Sequence, residues 1–324
     1  YVLHNFGAKV YGYALKPDKN NSNFKTLNLN KSVANYFADI REEKKIYSYI
    51  KKIKPDIIFH LAAQSLVKKS YSNPSYTIQT NVNGTLNVLN SIYKNKKIGG
   101  ILIITSDKCY KNKEKISGYR ETDELGGVDP YSASKASAEI ISHAFLNSYF
   151  KNKRNLGIAT ARAGNVIGGG DWSKDRIIPD FIKSIDTKKS FYLRFPDAIR
   201  PWQHVFDVVN GYLILGKKIY KNNKFNGSWN FGPSKKNLIT VKQLVYIIKK
   251  KINSSKKIGI KKQKNFHETK TLVLDSSKSK KKLNWKSKYS IKKSLSITSE
   301  WYLSYLNKKN LEKISFEQFQ NFFK

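Results

Sequence analysis

The sequence predicts an α/β protein in which a doubly wound parallel sheet is joined by a second, smaller lobe. Three continuous apolar runs, at residues 56–63, 101–105 and 157–161, are typical of parallel strands buried on both faces. Segments with helical periodicity lie between these runs, and such alternation favours a doubly wound sheet. Because 324 residues exceed what one hydrophobic core usually organises, we expect two lobes.

Apolar periodicity predicts where the helices lie. The pattern indicates helices at residues 41–54, 81–97, 131–150, 241–251 and 294–306. In the first of them Ile46, Ile50 and Ile53 share one face, as expected of a helix that packs on a sheet. The lysine-rich stretch at 278–282 is predicted to be a solvated helix face.

The regular alternation of strands and helices breaks after Gly164, where glycine and proline become frequent. We therefore predict a dinucleotide-binding, Rossmann-like lobe and a smaller substrate-binding lobe, each built from two segments. The segments are 1–165 and 203–232 for the first lobe, and 166–202 and 233–324 for the second.

A dinucleotide-binding sheet normally carries a glycine-rich turn after its first strand, because glycine lets the backbone approach the pyrophosphate. The sequence contains no G-x-G-x-x-G pattern. Residues 1–7 resemble the end of a helix, and residues 8–13 resemble the next strand. We therefore expect the first strand and its glycine turn to lie upstream of Tyr1, so that the sequence is a fragment.

Composition argues against several classes of protein. The single cysteine, Cys109, excludes a disulfide scaffold and a cysteine-based zinc site, and it favours a reducing, cytoplasmic setting. No apolar run is long enough to cross a membrane, and we predict no metal site. The net charge of +38 would suit nucleic acid, but only seven of the 61 basic residues are arginine. The lysines are spread along the chain, which favours a solvated surface.

Tyr131 and Lys135 stand four residues apart at the start of a predicted helix, so both side chains project from one face. An ammonium beside a phenol favours phenolate, which predicts a lowered pKa for Tyr131 and makes it a usable base. The same spacing recurs elsewhere in the chain, where an exposed lysine beside a packed tyrosine is the simpler interpretation. Position relative to a second motif distinguishes Tyr131.

That second motif is Ser106, Asp107 and Lys108, which follow the apolar run at 101–105. Ligands of open α/β sheets bind beyond the carboxyl ends of strands. Ser106 could donate a hydrogen bond to a carbonyl or alkoxide oxygen, Asp107 could act as an acid, and Lys108 could hold charge or move a proton. In isolation the triplet would more simply be a capped turn, so its value as a site depends on convergence with Tyr131.

Several motifs are spread over the chain. They are HLAAQ at 60–64, TNVNGT at 80–85, TSDKCY at 105–110, YSASK at 131–135, RAGNVIGGGDW at 162–172, RPWQHV at 200–205 and NFGP at 230–233. Together they resemble the motifs of the extended short-chain dehydrogenase/reductases, and within that family those of the nucleotide-sugar 4,6-dehydratases that act on CDP-glucose.

The resemblance implies dehydration of CDP-glucose to CDP-4-keto-6-deoxyglucose by a bound NAD that is regenerated in each cycle. It implies that Tyr131 removes the hydroxyl proton at sugar carbon 4, that Ser106 orients that oxygen and that Asp107 protonates the departing hydroxyl. Lys135 would tune Tyr131 and hold the nicotinamide ribose. Lys108 stands where dehydratases of dTDP-sugars carry glutamate, which leaves it open as a base or as electrostatic support.

The resemblance also implies binding residues. Those at the NAD site are Asp39, Ile40, Leu61, Ala62, Ala63, Thr80, Tyr131 and Lys135. Those at the nucleotide-sugar site are Ser106, Asn165, Arg176, Arg200 and Asn230. Arg200 is the best candidate for the diphosphate, because a guanidinium fork pairs well with phosphate oxygens. Arg176 could instead pair with Asp175 or Asp180.

Two other functions use the same sequence features. An epimerase, or a dehydratase of another nucleotide sugar, would keep the scaffold and the same reactive residues. A basic nucleic-acid-binding protein on a decayed dehydrogenase scaffold is a remote alternative, and it would bind with a steep salt dependence. We expect a nucleotide-sugar substrate, no nucleic-acid partner and no membrane association. The family resemblance further implies a homodimer through the helices at 81–97 and 131–150.

Overall fold

The computed structural model describes residues 1–17, 22–95, 98–151, 155–185, 187–234, 237–261 and 271–324. Its strands are β1 Tyr11–Ala14, β2 Ala34–Phe37, β3 Ile57–His60, β4 Gly100–Ile104, β5 Gly157–Ala163, β6 Val166–Ile167, β7 Phe191–Leu193, β8 Ile199–Pro201, β9 Gln203–His204, β10 Gly227–Phe231, β11 Leu238–Thr240 and β12 Ile258–Ile260. Its α-helices are α1 Val2–Asn5, α2 Asn23–Thr26, α3 Leu29–Ser32, α4 Glu43–Ile53, α5 Val67–Ser72, α6 Pro74–Ile78, α7 Gly84–Lys94, α8 Pro130–Phe145, α9 Ile177–Ser184, α10 Val205–Ile219, α11 Val241–Lys251, α12 Ser277–Leu283, α13 Ile291–Leu306 and α14 Leu311–Phe323.

The central sheet has four parallel strands in the order β10-β5-β4-β3, and β1 and β2 form a separate parallel pair. Side chains alternate across β4. Ile101 and Ile103 pack with α4 and α7 on one face, while Leu102 packs with α10 on the other. Helices therefore cover both faces of the sheet, which confirms the predicted α/β class.

The three apolar runs form β3, β4 and β5, and the periodic segments form α4, α7, α8, α11 and α13. The predicted helix at 81–97 differs in its first turn, because a π-helical segment, Gln79–Asn83, precedes α7 and turns Thr80 and Asn81 inward. Such segments are frequent at functional sites. α7 ends at Lys94, and Lys97 lies outside the described residues. A second π-helical segment, Leu146–Phe150, continues α8.

A separate hydrophobic core forms where α9, α11 and α13 pack around Trp202. The strand pairs β7–β12 and β8–β11 border it. The chain then returns to the central sheet, because β10 pairs with β5 in parallel register. The boundaries of two lobes at residues 165 and 232 stay a prediction.

The lysine-rich stretch forms α12, and Lys280, Lys281 and Lys282 are exposed on it. The prediction of a solvated face is wrong for Lys278. Its ammonium lies 4.2 Å from the centroid of the Trp229 ring and donates to the Ser228 carbonyl at 2.5 Å. Burial lowers the pKa of this lysine. The long aliphatic stem lets this ammonium reach a buried tryptophan, which a count of charges does not reveal.

Two features are absent from the described part of the chain. No helix there combines the length and the apolar character that a membrane crossing needs. No group of three histidine, cysteine, aspartate or glutamate side chains is arranged there to bind a metal ion.

Candidate active site

The start of α8 fixes the position of Tyr131. Asp129 caps this helix: its Oδ1 accepts from the backbone N of Ser132 at 3.0 Å, and its Oδ2 accepts from Ser132 Oγ at 2.6 Å. Pro130 occupies the first helical position, where its missing N–H costs no hydrogen bond. Tyr131 is therefore held in the first turn, where it is buried.

The turn after β4 carries the second motif. Ser106 Oγ accepts from the backbone N of Lys108 at 3.2 Å and donates to Asp107 Oδ1 at 2.9 Å. Both side chains are buried. Gly164 permits the end of β5 to approach this turn, because a Cβ there would lie 3.0 Å from Asp107 Oδ2. The triplet therefore forms the capped turn that it would form in isolation. The same turn also places the side chains of Ser106 and Asp107 in the protein interior.

The two motifs converge in space. The Tyr131 phenol lies beside the Ser106 side chain, and the charge of Asp107 acts on the phenol. Ser106 in turn donates to Asp107 Oδ1 at 2.9 Å. Phenol, hydroxyl and carboxyl therefore lie side by side at the carboxyl end of β4, in a series that we call the Tyr131–Ser106–Asp107 chain.

Burial governs the protonation of this chain. It raises the pKa of Asp107, against the opposing effects of Lys108, Ser106 and Arg200. A raised pKa favours the form of Asp107 that carries a proton. Burial also raises the pKa of Tyr131, although the neighbouring Ser106 side chain and the charge of Arg176 oppose it. The predicted lowering of the Tyr131 pKa is therefore wrong for this structure.

The reason lies in the direction of Lys135. Its Nζ donates to the carbonyl of Ile104 at 3.2 Å, toward the sheet. Burial lowers the pKa of Lys135 to about 8, and the Glu139 carboxylate opposes this. The cation that acts on Tyr131 is Arg176 instead. Four-residue spacing puts two side chains on one helix face, but the partners of each side chain decide where its polar end points.

Two residues implied at the NAD site carry features that a ligand would use. Leu61, directly after β3, is 59% exposed, whereas His60 before it is 6% exposed. Leu61 thus lies beyond the carboxyl end of a sheet strand, which is where ligands of open α/β sheets bind. Thr80 Oγ1 is buried and has no hydrogen-bond partner among the described residues. Ala62 and Ala63 follow Leu61 and are half-buried.

Asp39 and Ile40 lie after β2. The Asp39 carboxylate accepts from the backbone N of Arg41 at 2.9 Å and from its Nη2 at 2.7 Å. Ile40 is buried against Gly84, where a Cβ would meet Ile40 Cγ2 at 2.8 Å. The backbone of this turn is held by Asn87, whose Nδ2 donates to the Ile40 carbonyl at 3.0 Å.

The two arginines predicted to bind the nucleotide sugar lie near opposite ends of the Tyr131–Ser106–Asp107 chain. Arg200 acts on Asp107, and Arg176 acts on Tyr131. Arg200 is buried, its Nη1 donates to the Ile199 carbonyl at 2.8 Å, and its charge acts on Asp107. Arg176 is exposed, and its Nη2 donates to the Ser65 carbonyl at 3.5 Å.

Two details complete the comparison with the predicted sugar site. Asp175, which could have paired with Arg176, is paired with Lys68 and Arg194. Asn165 is half-buried, and its carbonyl accepts from the backbone N of Gln203 at 3.0 Å.

The structure contradicts the predicted substrate contact of Asn230. The side chain is fully buried in β10, and its Nδ2 donates to the carbonyls of Tyr119 at 2.8 Å and Asp275 at 3.1 Å. Its Oδ1 accepts from the Tyr110 hydroxyl at 2.8 Å. Both amide hydrogens are thus used inside the protein. Asn230 ties β10 to neighbouring loops and has no donor left for a sugar.

Comparison with known proteins agrees with this geometry. A family model described as GDP-mannose 4,6 dehydratase matches residues 2–298. The chain belongs to this family. A CDP-glucose 4,6-dehydratase from Salmonella typhimurium is 38% identical over 309 residues, which cover 94% of this chain and 86% of that protein. The predicted resemblance to nucleotide-sugar 4,6-dehydratases is thereby confirmed.

Solved structures share the fold of this GDP-mannose 4,6-dehydratase family member. A UDP-glucose 4-epimerase from Thermotoga maritima, solved with UDP-glucose, has a TM-score of 0.80 and 24% identity, and the match covers 94% of both chains. A dTDP-glucose 4,6-dehydratase from Streptomyces venezuelae, solved with NAD bound, has a TM-score of 0.76 and 21% identity over 90% of this chain and 85% of that one. The Rossmann-type α/β fold is therefore confirmed.

Sequence reasoning missed residues of this family member that border the reactive chain. Tyr212 of α10 is buried, and the charges of Asp107 and Tyr131 add to burial in raising its pKa. Asn81 joins the loop after β3 to α8, because its Oδ1 accepts from the backbone N of Gln64 at 2.7 Å and its Nδ2 donates to Ser134 Oγ at 2.8 Å. Asn81 lies within the motif at 80–85, so the sequence could have indicated it. Tyr212 could not have been found in this way, because its sequence context is that of an ordinary core residue.

Proposed function

We propose that the chain converts CDP-glucose to CDP-4-keto-6-deoxyglucose, with NAD as a cofactor that is regenerated in each cycle. The observation that carries this proposal is the Tyr131–Ser106–Asp107 chain, which joins a candidate base and a candidate acid within one buried site. The 38% identity to a CDP-glucose 4,6-dehydratase supports the choice of nucleotide.

The residues after β2 and β3 fit a dinucleotide. The exposed Leu61 side chain offers apolar surface, and the unpartnered Thr80 hydroxyl offers a hydrogen bond. The residues that would hold NAD are Asp39, Ile40, Leu61, Ala62, Ala63, Thr80, Tyr131 and Lys135. When bound, NAD would accept a hydride from carbon 4 of the sugar and return it to carbon 6.

The chain's own residues would move the protons. Tyr131 would take the proton of the carbon 4 hydroxyl, with Ser106 holding that oxygen. To act as a base, Tyr131 must first release its own proton, which the charge of Arg176 favours.

Elimination of water needs an acid and a second base. Asp107 would protonate the carbon 6 hydroxyl as it leaves, a role that suits a carboxyl whose pKa is raised by burial. Lys108, the next residue along the turn, is our candidate for removing the proton at carbon 5. Arg200 and Arg176 would bind the diphosphate, and Asn165 the sugar.

The proposal is tested by incubating the chain and NAD with CDP-glucose and, separately, with UDP-glucose. We expect a keto-sugar product from CDP-glucose that is lighter by one water, and a kcat/KM for UDP-glucose lower by about 10-fold or more. The product is measured by mass spectrometry and by the absorbance of keto-deoxysugars in alkali. An isomer of unchanged mass would instead identify an epimerase, and a preference for UDP-glucose would reject the proposed nucleotide.

We further propose that the chain forms a homodimer through α7 and α8. Tyr93 on α7 is 45% exposed, and Ile140 on α8 is 57% exposed. Tyr149, just beyond α8, adds to this apolar surface at 48% exposure. Ile140→Lys should halve the mass measured by light scattering, because a charge in an apolar interface is left unpaired. Ile116→Lys, at a loop residue that is 75% exposed, should leave the mass unchanged. A wild-type mass equal to one chain would reject this dimer.

A further inference from the structure

We propose that Glu139 and Arg162 form a buried positioning pair that fixes the turn carrying Ser106 and Asp107 and keeps Lys135 charged. The inference rests on the proposed function, since it concerns how the same site is held in working order. Arg162 opens the quoted motif at 162–172, but neither it nor Glu139 is among the predicted catalytic or binding residues.

The pair is fully enclosed. Arg162 Nη2 lies 2.8 Å from Glu139 Oε2, and each side chain is 2% exposed. Glu139 Oε2 also accepts from Thr160 Oγ1 at 2.7 Å and from Ser228 Oγ at 3.0 Å. The pair thus joins α8 to β5 and β10. Because buried ion pairs often contribute little net stability compared with apolar packing, stability alone does not explain its presence here.

The pair holds both ends of the reactive turn. Glu139 Oε1 accepts from Thr105 Oγ1 at 2.5 Å, and Thr105 directly precedes Ser106. Arg162 Nη1 donates to the Tyr110 hydroxyl at 2.6 Å, and the guanidinium carbon lies 4.8 Å from the centroid of the Tyr110 ring. Thr105 and Tyr110 bracket the turn at 106–109. One ion pair therefore anchors the residue before the turn and the residue after it.

The same pair is rigidly linked to the proposed base. Tyr131, Lys135 and Glu139 follow one another at intervals of four residues, so they share one face of α8. Because both residues lie on α8, two turns apart, fixing Glu139 also fixes the position of Tyr131. Through Thr105 and Tyr110, the pair therefore sets the placement of Asp107 relative to Tyr131.

The pair also determines the charge near Lys135. The groups that act on this ammonium are Glu139 on its own helix and Cys109 in the turn. His60 from β3 also faces it, and burial together with the Lys135 charge lowers the pKa of His60 to about 3, so that the imidazole is neutral. Burial opposes ionisation of Glu139, but Arg162 and the hydroxyl donors outweigh it and lower its pKa. Glu139 is thus the ionised group that sustains the charge of Lys135 against burial.

Two variants separate positioning from stability. Glu139→Gln keeps the shape of the side chain but removes its charge, and the double variant Glu139→Leu/Arg162→Met removes the pair without leaving a lone buried charge. We expect Glu139→Gln to lower kcat for CDP-glucose by about 10- to 100-fold while KM changes less than about 3-fold. We expect the double variant to stay folded, with a thermal midpoint lowered only by the lost acceptor of the Thr105, Thr160 and Ser228 hydroxyls, and not to recover the wild-type kcat.

The pH dependence of kcat/KM provides a readout that a purely structural role of the pair would leave unchanged. Lys135 would hold NAD through its ammonium, and without Glu139 it loses its proton at lower pH. The ratio of variant to wild-type kcat/KM should therefore fall as the pH rises from about 6 to about 9. Both variants should show this fall. Asp207→Asn is the matched control, because Asp207 is a buried carboxylate that accepts from the backbone N of Lys288, away from the turn. Its ratio should stay constant over the alkaline range.

A constant ratio in both variants, or wild-type kcat in the double variant, would overturn the proposal. A readout independent of turnover is the titration of the Lys135 ammonium by NMR in lysine-labelled protein, with its signal assigned by its loss in Lys135→Arg. Its midpoint should fall by about one pH unit in the double variant. An unchanged midpoint would reject the effect on charge even if the chain did not act on CDP-glucose, which separates this inference from the proposed function.

Discussion

Tyr131→Phe should lower the rate of keto-sugar formation from CDP-glucose by about 1000-fold. Phenylalanine keeps the buried ring but removes the oxygen that would take the substrate proton and that lies beside Ser106. The steady-state rate with saturating CDP-glucose and NAD measures this loss. Because no polar atom is added to the core, we expect the fold to be retained, with a circular dichroism spectrum like that of the wild type.

Tyr246→Phe is the matched control. Tyr246 lies on α11, is 47% exposed and precedes Lys250 by four residues, so it shares the spacing of Tyr131 and Lys135 without their burial. Its rate should equal that of the wild type. If Tyr131→Phe kept more than about a tenth of the wild-type rate, Tyr131 would not be the base.

Asp107→Asn should produce the second large effect, a loss of about 100- to 10,000-fold in the rate of water elimination. The amide cannot give a proton to the departing hydroxyl. The same change should not destabilise the protein near neutral pH. Since burial raises the pKa of Asp107 in the folded state, its ionisation disfavours folding increasingly as the pH rises above the unfolded-state pKa. A neutral side chain of the same shape removes that cost, so the thermal midpoint should equal or exceed that of the wild type.

Asp123→Asn serves as the control for loss of a carboxylate. Asp123 pairs with Lys115 at the surface, with 2.8 Å between Asp123 Oδ2 and Lys115 Nζ. Its replacement by asparagine should leave the rate unchanged. An Asp107→Asn enzyme that eliminated water at close to the wild-type rate would assign the acid role to another residue.

The sheet and the position of the reactive turn could be predicted because both follow from short-range patterns. Continuous apolar runs indicate buried strands, and β3, β4 and β5 formed where those runs lie. The start of α8 followed from local chemistry, since Asp129 and Pro130 are typical of a helix N-terminus. Once strand and helix were known, the carboxyl end of β4 was the expected place for Ser106 and Asp107 to meet Tyr131.

Contacts between distant segments could not be predicted in the same way. The direction of Lys135 depends on the Ile104 carbonyl across the helix–sheet interface. This contact removes the expected lowering of the Tyr131 pKa, which burial instead raises. Asn230 lies in a quoted motif, yet its side-chain amide donates to the carbonyls of Tyr119 and Asp275, which belong to distant loops.

The Glu139–Arg162 pair joins residues 23 positions apart, and although Arg162 opens a quoted motif, nothing in the sequence links it to Glu139. Only the packed structure shows that these charges are buried.

The central claim is that one site both moves a hydride within the sugar and removes water from it. The most direct measurement uses CDP-glucose carrying deuterium at carbon 4, with the product examined by mass spectrometry and NMR. We predict a 4-keto-6-deoxy sugar that is lighter by one water and carries the deuterium at carbon 6. An isomer of unchanged mass, or a dehydrated product without deuterium at carbon 6, would contradict the account.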